Sequence, residues 1–225
     1  VSTNSKERFK IFKKLASQKK IEIFLLEKFM FLNKRHYTYV KKNFDVKKIF
    51  NNVWGKYLYQ KSIKYNLKSY DKVKVLNRKG HLLTNLIHFI NFFSYYQKYI
   101  KVNKFNLNPT KFKKVDEFYG NLNIQYDKQK IIFETRNIKN LFEMYFNKTN
   151  KKGVFRIILK KDYKLCFYLN LKLVKVIKFP LASSFSYKIF KRNSHVPTFS
   201  EILDDNLNIL NMAKIFSKKK TIKIR

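Results

Sequence analysis

Residues 164–178, Lys-Leu-Cys-Phe-Tyr-Leu-Asn-Leu-Lys-Leu-Val-Lys-Val-Ile-Lys, carry the clearest period-two pattern in the chain. Leu165, Phe167, Leu169, Leu171 and Leu173 fall on one face, and Cys166, Tyr168, Asn170 and Lys172 on the other. That alternation predicts an extended segment with one buried side. Pro180 ends it. Upstream, residues 154–160 also read as a strand, and the wholly polar stretch Asn147 to Gly153 is the best candidate boundary. It divides the chain into a mixed region, 1–152, and a sheet-rich region, 153–225. After Pro180, residues 181–192 read as a helix. Residues 207–225 read as two strands joined by a Lys218-Lys219-Lys220 turn.

Working back toward the N-terminus, 137–147 reads as a helix and 129–134 as a strand. Residues 72–76 alternate as a strand, and Asn77-Arg78-Lys79-Gly80 makes a turn. Leu82, Leu83, Leu86, Ile87, Ile90 and Phe93 then recur at helical spacing, so 81–98 is a helix. Residues 99–105 alternate again, and Pro109 closes that unit. Residues 35–70 show no clear period. Phe9, Phe12, Leu15 and Ala16, followed by Ile23, Phe24 and Leu26, predict a basic amphipathic helix over 5–34.

The charge is extreme. Lys and Arg number 51 against 14 Asp and Glu, a formal net charge of +37. The lysines are spread along the whole chain, so a flexible basic tail does not explain them. A folded chain so charged repels itself and calls for a polyanion: nucleic acid, an anionic membrane surface or a strongly acidic protein. Disorder is excluded by the 45% hydrophobic and 17% aromatic content. Lys, Asn, Ile, Phe and Tyr dominate while Gly, Pro and Ala are scarce, the mark of an extremely AT-rich genome. Together with the lack of a readable signal or transit peptide, this leads us to expect synthesis and residence in the mitochondrial matrix.

Motifs for catalysis or cofactors are missing. The sequence contains no G-x-G-x-x-G, no G-x-x-x-x-G-K-[ST] and no H-E-x-x-H. The four histidines are His36, His81, His88 and His195, and no carboxylate or thiol accompanies the pair His81 and His88. The adjacent acids Asp116-Glu117 and Asp204-Asp205 do not make a carboxylate cluster. Cys166 alone excludes an internal disulfide and a cysteine-cluster zinc site. No stretch of about 18 apolar residues predicts a membrane span.

Two segments resemble the small-subunit ribosomal protein three family, which contains a KH module. From Val176 through Pro197 the spacing matches that family without gaps. Phe190 falls on an aromatic position, Arg192 on a basic one, and Val196-Pro197 on the family's Val-Pro. Leu203-Asp204-Asp205 parallels an Ala-Asp-Ile-Asp run, and Lys223-Ile224 a terminal Lys-Val. Upstream, Val75-Leu-Asn-Arg-Lys-Gly80 before a helix is similar to the KH signature, with Asn77 in place of the first glycine. Ile177-Lys178-Phe179-Pro180 stands where the family has Ser-Gly-Arg-Leu.

The resemblance implies an α+β fold with a KH-like unit at about 72–105 and a C-terminal strand-helix-hairpin region. It implies a non-enzymatic constituent of the small subunit of a mitochondrial ribosome, without metal or cofactor. Its partners would be ribosomal RNA, neighbouring ribosomal proteins and messenger RNA. The RNA contacts implied are Asn77, Arg78, Lys79, Gly80, Lys191, Arg192, Lys218, Lys219, Lys220 and Lys223. Another organellar ribosomal protein family is the open alternative. A basic accessory subunit of an organellar respiratory membrane complex is the rival reading, and an RNA-processing factor the enzymatic one.

Overall fold

The computed structural model of the chain describes residues 7–18, 20–27, 30–31, 33–78, 82–97, 99–112, 115–149, 154–181 and 195–218. They form two units. Unit 1 draws on 1–60, 86–94 and 181–214, and unit 2 on 61–85, 95–180 and 215–225.

Unit 1 is built on a βαβ crossover. Strand β1 (Phe24–Glu27) runs parallel to β2 (Ile49–Asn52), and helix α2 (Lys34–Asn43) connects them. Helix α1 (Arg8–Ala16) precedes β1, and α3 (Gly55–Ser62) follows β2. The strands are short, and each alternates buried and half-buried residues. Aromatic packing holds the crossover together. The Phe12 ring lies 4.9 Å from Phe24, 5.6 Å from Phe31 and 5.1 Å from Phe44. Each such pair contributes about 0.5–1.5 kcal/mol beyond its buried area.

The unit is completed by α4 (Leu82–Ser94), in its later turns, and by the long C-terminal helix α5 (Phe199–Lys218) as far as Lys214. Helix α5 begins with a capping box. The Glu201 amide donates to Thr198 Oγ1 (3.3 Å), and the Thr198 amide donates to Glu201 Oε2 (2.8 Å). Phe199, Ile202, Asp205, Asn206, Ile209, Met212 and Phe216 are its buried stripe, at helical spacing. This corrects the hairpin expected from residue 207. The two polar members of the stripe, Asp205 and Asn206, hide the helical period from a hydrophobicity reading.

Unit 2 is an eight-stranded mixed sheet. Its strands are β3 (Lys72–Arg78), β4 (Ile100–Phe112), β5 (Val115–Tyr126), β6 (Gln129–Arg136), β7 (Phe142–Asn147), β8 (Val154–Leu159), β9 (Lys164–Leu169) and β10 (Lys172–Lys178). Their spatial order is β10-β9-β8-β7-β3-β6-β5-β4. Only the central pair β3–β6 is parallel. The inner face is apolar, with Val73, Val75, Ile131, Phe133, Phe142, Met144, Phe146, Phe155 and Ile157 buried. Tyr65 packs across it, 4.4 Å from the Phe155 ring. Gln129 ties the irregular segment before β3 to β6, its Nε2 donating to the carbonyls of Leu67 (3.1 Å) and Tyr70 (2.8 Å). Gly120 sits at φ +131, where a Cβ would strike the Asn106 carbonyl, so β4 and β5 can approach only over a glycine.

This architecture overturns the KH-like fold. Residues 72–105 do not close on themselves: β3 lies mid-sheet between β7 and β6, and β4 lies at the far edge. The expected loop at 77–80 also begins later, because β3 continues through Asn77 and Arg78. Residues 137–147 hold strand β7 in place of a helix, and the Phe142, Met144, Phe146 alternation explains why. The helix expected over 5–34 is α1, then β1, then the entry to α2. The extended segment 164–178 is a hairpin, folded at Asn170 (φ 47) and Leu171 (φ 70). Two consecutive left-handed residues are the signature of a tight hairpin turn. A leucine in that conformation gives the sequence no turn signal.

Candidate functional site

In open α/β structures, ligands bind beyond the carboxyl ends of parallel strands. In unit 1 those ends, of β1 and β2, gather an unusual set of polar groups. Asn51 is fully buried; its Nδ2 donates to the carbonyls of Leu26 (3.2 Å) and Glu27 (3.3 Å). Two carbonyl partners fix the amide orientation, so Oδ1 is the atom on the other side. Among the described residues that Oδ1 meets no donor. Beside it, Asn52 Nδ2 donates to Glu27 Oε1 at 3.1 Å.

Arg8, on the first position of α1, reaches the same edge. It is 7% exposed, and its Nη1 donates to the Glu27 carbonyl at 3.1 Å. Burial lowers the guanidinium below its ordinary range, against the charge of Glu27 and the nearby Tyr37 hydroxyl. Tyr37 is buried and raised above the ordinary phenol range by burial. Its hydroxyl donates to the Phe31 carbonyl (2.9 Å) or Asn206 Oδ1 (3.0 Å) and accepts from the Phe31 amide (3.0 Å).

The first turn of α2 adds Lys34, Arg35 and His36, with no acidic residue. Cations at a helix N-terminus oppose the macrodipole, an arrangement that an anion relieves. Lys34 and Arg35 are exposed. His36 stacks on Phe9 at 3.7 Å with a 6° interplanar angle, and burial lowers its pKa. Its Nδ1 has no hydrogen-bond partner among the described residues.

A second polar cluster surrounds the start of α3. Lys56 pairs with Glu201. Burial pushes the Glu201 carboxyl up, but hydrogen bonds from Lys56 and the Thr198 amide outweigh it and hold it below its ordinary value. Asp205 is buried and pushed up to about 6 by desolvation. One of its oxygens, Oδ2, accepts from both Asn91 Nδ2 (2.9 Å) and Ser94 Oγ (3.1 Å). The Trp54 amide donates to His88 Nδ1 (3.3 Å) and the Lys56 amide to Asn91 Oδ1 (3.1 Å). No three His, Cys, Asp or Glu converge among the described residues.

Of the residues read from the sequence as RNA contacts, Asn77 and Arg78 lie in β3 of unit 2 and belong to neither cluster. Asn77 is buried in β3, its Oδ1 accepting from Asn85 Nδ2 at 3.1 Å. Arg78 ends β3 and is half-buried. Lys218 is the last residue of α5. Lys79, Gly80, Lys191, Arg192, Lys219, Lys220 and Lys223 lie outside the described residues. Arg8, Asn51 and Asp205 were not singled out for function by sequence reasoning. An asparagine at the end of a short apolar strand was the one local signal available.

No protein-family model matches the chain, and no curated protein matches it. Solved structures do. The chain is similar over 95% of its length to UDP-N-acetylglucosamine 3-dehydrogenase GnnA from Acidithiobacillus ferrooxidans, of which it covers 75%, at 10% identity and a TM-score of 0.62. It is similar over its whole length to an NAD-binding protein from Listeria innocua, covering 80% of that chain, at 12% identity and a TM-score of 0.55. It is similar over 96% of its length to a super-repressor mutant of Gal80p from Saccharomyces cerevisiae, covering 77% of that chain, at 10% identity and a TM-score of 0.62. At these identities the likeness is one of fold.

It is enough to correct the ribosomal reading. The ribosomal protein three resemblance covered two segments of a biased alphabet, whereas the fold matches along almost the whole chain. With it go the ribosomal RNA, messenger RNA and ribosomal-protein partners and the RNA-binding role. The respiratory-subunit alternative goes as well. The expectation of a non-enzymatic chain is also overturned, since the fold is shared with proteins named as dehydrogenases and oxidoreductases.

The residues present do not fit a nicotinamide dinucleotide. A glycine-lined turn lets the pyrophosphate approach the backbone at a helix N-terminus. Here the turn between β1 and α2 contains no glycine, and Met30 and Phe31 are fully buried in it. The Arg35 amide, in the first turn of α2, is already taken by Asn33 Oδ1 (2.9 Å). Gly55 opens α3, but a Cβ there would collide with the His88 carbonyl and with the Phe92 nitrogen (2.6 Å). That glycine serves the packing of α3 on α4, and the amides on either side of it are paired with α4 side chains.

Proposed function

We propose that the chain is an enzyme-like protein of the dehydrogenase fold that binds a phosphorylated sugar at the carboxyl ends of β1 and β2. The observation that carries this reading is Asn51. A fully buried acceptor, fixed by its own amide hydrogen bonds and without a donor among the described residues, calls for a hydroxyl. The cations Arg8, Lys34 and Arg35 and the α2 N-terminus supply the anion preference, and the net charge of +37 strengthens it at long range. A polyhydroxy compound with a phosphate meets both requirements. The name of the fold neighbour that acts on a nucleotide-linked sugar supports the same class. Burial lowers the pKa of His36, which favours its neutral, hydrogen-bonding form at this edge. The AT-rich alphabet makes a mitochondrial setting part of the proposal.

Calorimetric titration of the full chain with ribose 5-phosphate tests the reading. We expect binding that weakens as salt rises and that Arg35→Ala lowers about tenfold, the loss of roughly 1.4 kcal/mol. Asn51→Leu should abolish it. Binding unchanged in both variants would show that Asn51 is met by an internal water and that the edge holds no ligand.

A further inference from the structure

The two edges of the unit 2 sheet are built differently. On β4 the exposed residues are Lys101, Lys104, Asn106, Asn108 and Pro109, a polar edge broken by a proline. Such an edge resists pairing with another strand. On β10 the exposed residues include Leu173 (54% exposed), Val174 and Val176, and the hairpin tip that leads into it presents Leu171 at 67%. Leu171 is held there in a left-handed backbone conformation that a leucine adopts at an energetic cost. Among the described residues, no strand pairs with the outer side of β10. Backbone groups that find no partner strand among the described residues, beside exposed Leu and Val side chains, form a template for strand addition.

Charge selects what can be added. Lys172, Lys175 and Lys178 recur along β10 between the apolar residues. A second copy aligned antiparallel about Lys175 would set Lys175 against itself and Lys172 against Lys178. A parallel in-register copy would set each lysine beside its equivalent. Like charges directly opposite destabilise a strand pair, and each copy brings a net +37. The bulge between Leu173 and Lys175 puts Leu173 and Val176 on one face and Lys172 and Lys175 on the other, so a strand whose apolar residues alternate with carboxylates packs on the first pair and neutralises the second.

We propose that β10 docks an extended, acidic and apolar segment of a partner protein by strand addition. This surface belongs to unit 2 and is independent of the ligand edge of unit 1.

The test uses the full chain and two fluorescein-labelled peptides, one alternating Val and Glu and one alternating Val and Lys. Fluorescence anisotropy reads affinity, and hydrogen exchange read by mass spectrometry locates the contact. The Val-Glu peptide should bind and slow exchange over 172–178 while leaving β4 unchanged. Leu173→Lys and Val176→Lys, both at exposed positions, should each weaken it about tenfold with the thermal melt retained. Equal binding of the Val-Lys peptide would overturn the proposal. So would protection of β4 in place of β10, or an absence of protection. Concentration-dependent protection of β10 in the free protein would assign the edge to a second copy and would overturn it too.

Discussion

Units 1 and 2 bury different kinds of groups. The interior of unit 2 is a sheet face of Val, Ile, Met and Phe, and its buried polar side chains, Ser62, Asn77, Gln97 and Gln129, are all neutral. Gln129 illustrates the pattern: its amide is spent on two backbone carbonyls that the irregular segment leaves open. Unit 1 buries Arg8 and Asp205, together with Asn51, His88, Asn91 and Asn206. Buried charge is expensive unless it is paired or put to use. Unit 2 is thus organised for packing, while unit 1 carries the costly buried groups beside which the proposed ligand edge lies.

The comparison can be broken first at the core of unit 2. Phe155 is fully buried against Tyr65 and Phe146. Phe155→Ala should lower stability by about 3–5 kcal/mol in urea unfolding, the range for emptying an aromatic core site. A loss under about 1 kcal/mol would mean that the sheet does not depend on this face.

Asp205 sharpens the other side. Its folded pKa, about 6, lies above its ordinary value of 3.8, so the ionised form is disfavoured in the fold. The stability it contributes is fully present below pH 3.8 and is lost as the pH rises through about 6. Asp205→Asn keeps an acceptor for Asn91 and Ser94 and removes the charge. At pH 7.5 it should be more stable than the natural protein by on the order of 1–3 kcal/mol, from the size of the shift. The difference should shrink below pH 4. A less stable variant at pH 7.5 would show that the second carboxylate oxygen holds a partner that needs the charge.

The capping box of α5 gives the smallest effect. Thr198→Ala removes the side-chain acceptor for the Glu201 amide and should cost about 1 kcal/mol, read from the urea midpoint. No change would mean that the Glu201 carboxylate alone secures the helix start.

Much of unit 2 was legible because its strands alternate without interruption. Residues 72–76, 129–134 and 154–160 announced β3, β6 and β8, and the apolar spacing of 81–98 announced α4. Strand β5 carries the same signal, Leu122, Ile124 and Tyr126 alternating with Asn121, Asn123 and Gln125, but over only half its length, and its glycine marks a close approach only in three dimensions. Helix α5 was misread because Asp205 and Asn206 occupy its core stripe, which is also why its position matters. The candidate site was hidden for a different reason. Arg8, Glu27, Tyr37, Asn51 and Asn206 are far apart in sequence and meet only where α1, the βαβ crossover and α5 come together. A single arginine such as Arg8 among 51 cations has no mark of its own. The same excess of lysine made chance matches to a basic protein family easy to find.

Competitive calorimetry with ribose 5-phosphate and NAD on the same preparation tests the central claim most directly. We expect the sugar phosphate to bind and the dinucleotide not to displace it, because the turns after β1 and β2 are filled or already hydrogen-bonded. Tight NAD binding that survives Asn51→Leu would contradict it, and would place a working dinucleotide cradle where Phe31 and Asn33 close the turn.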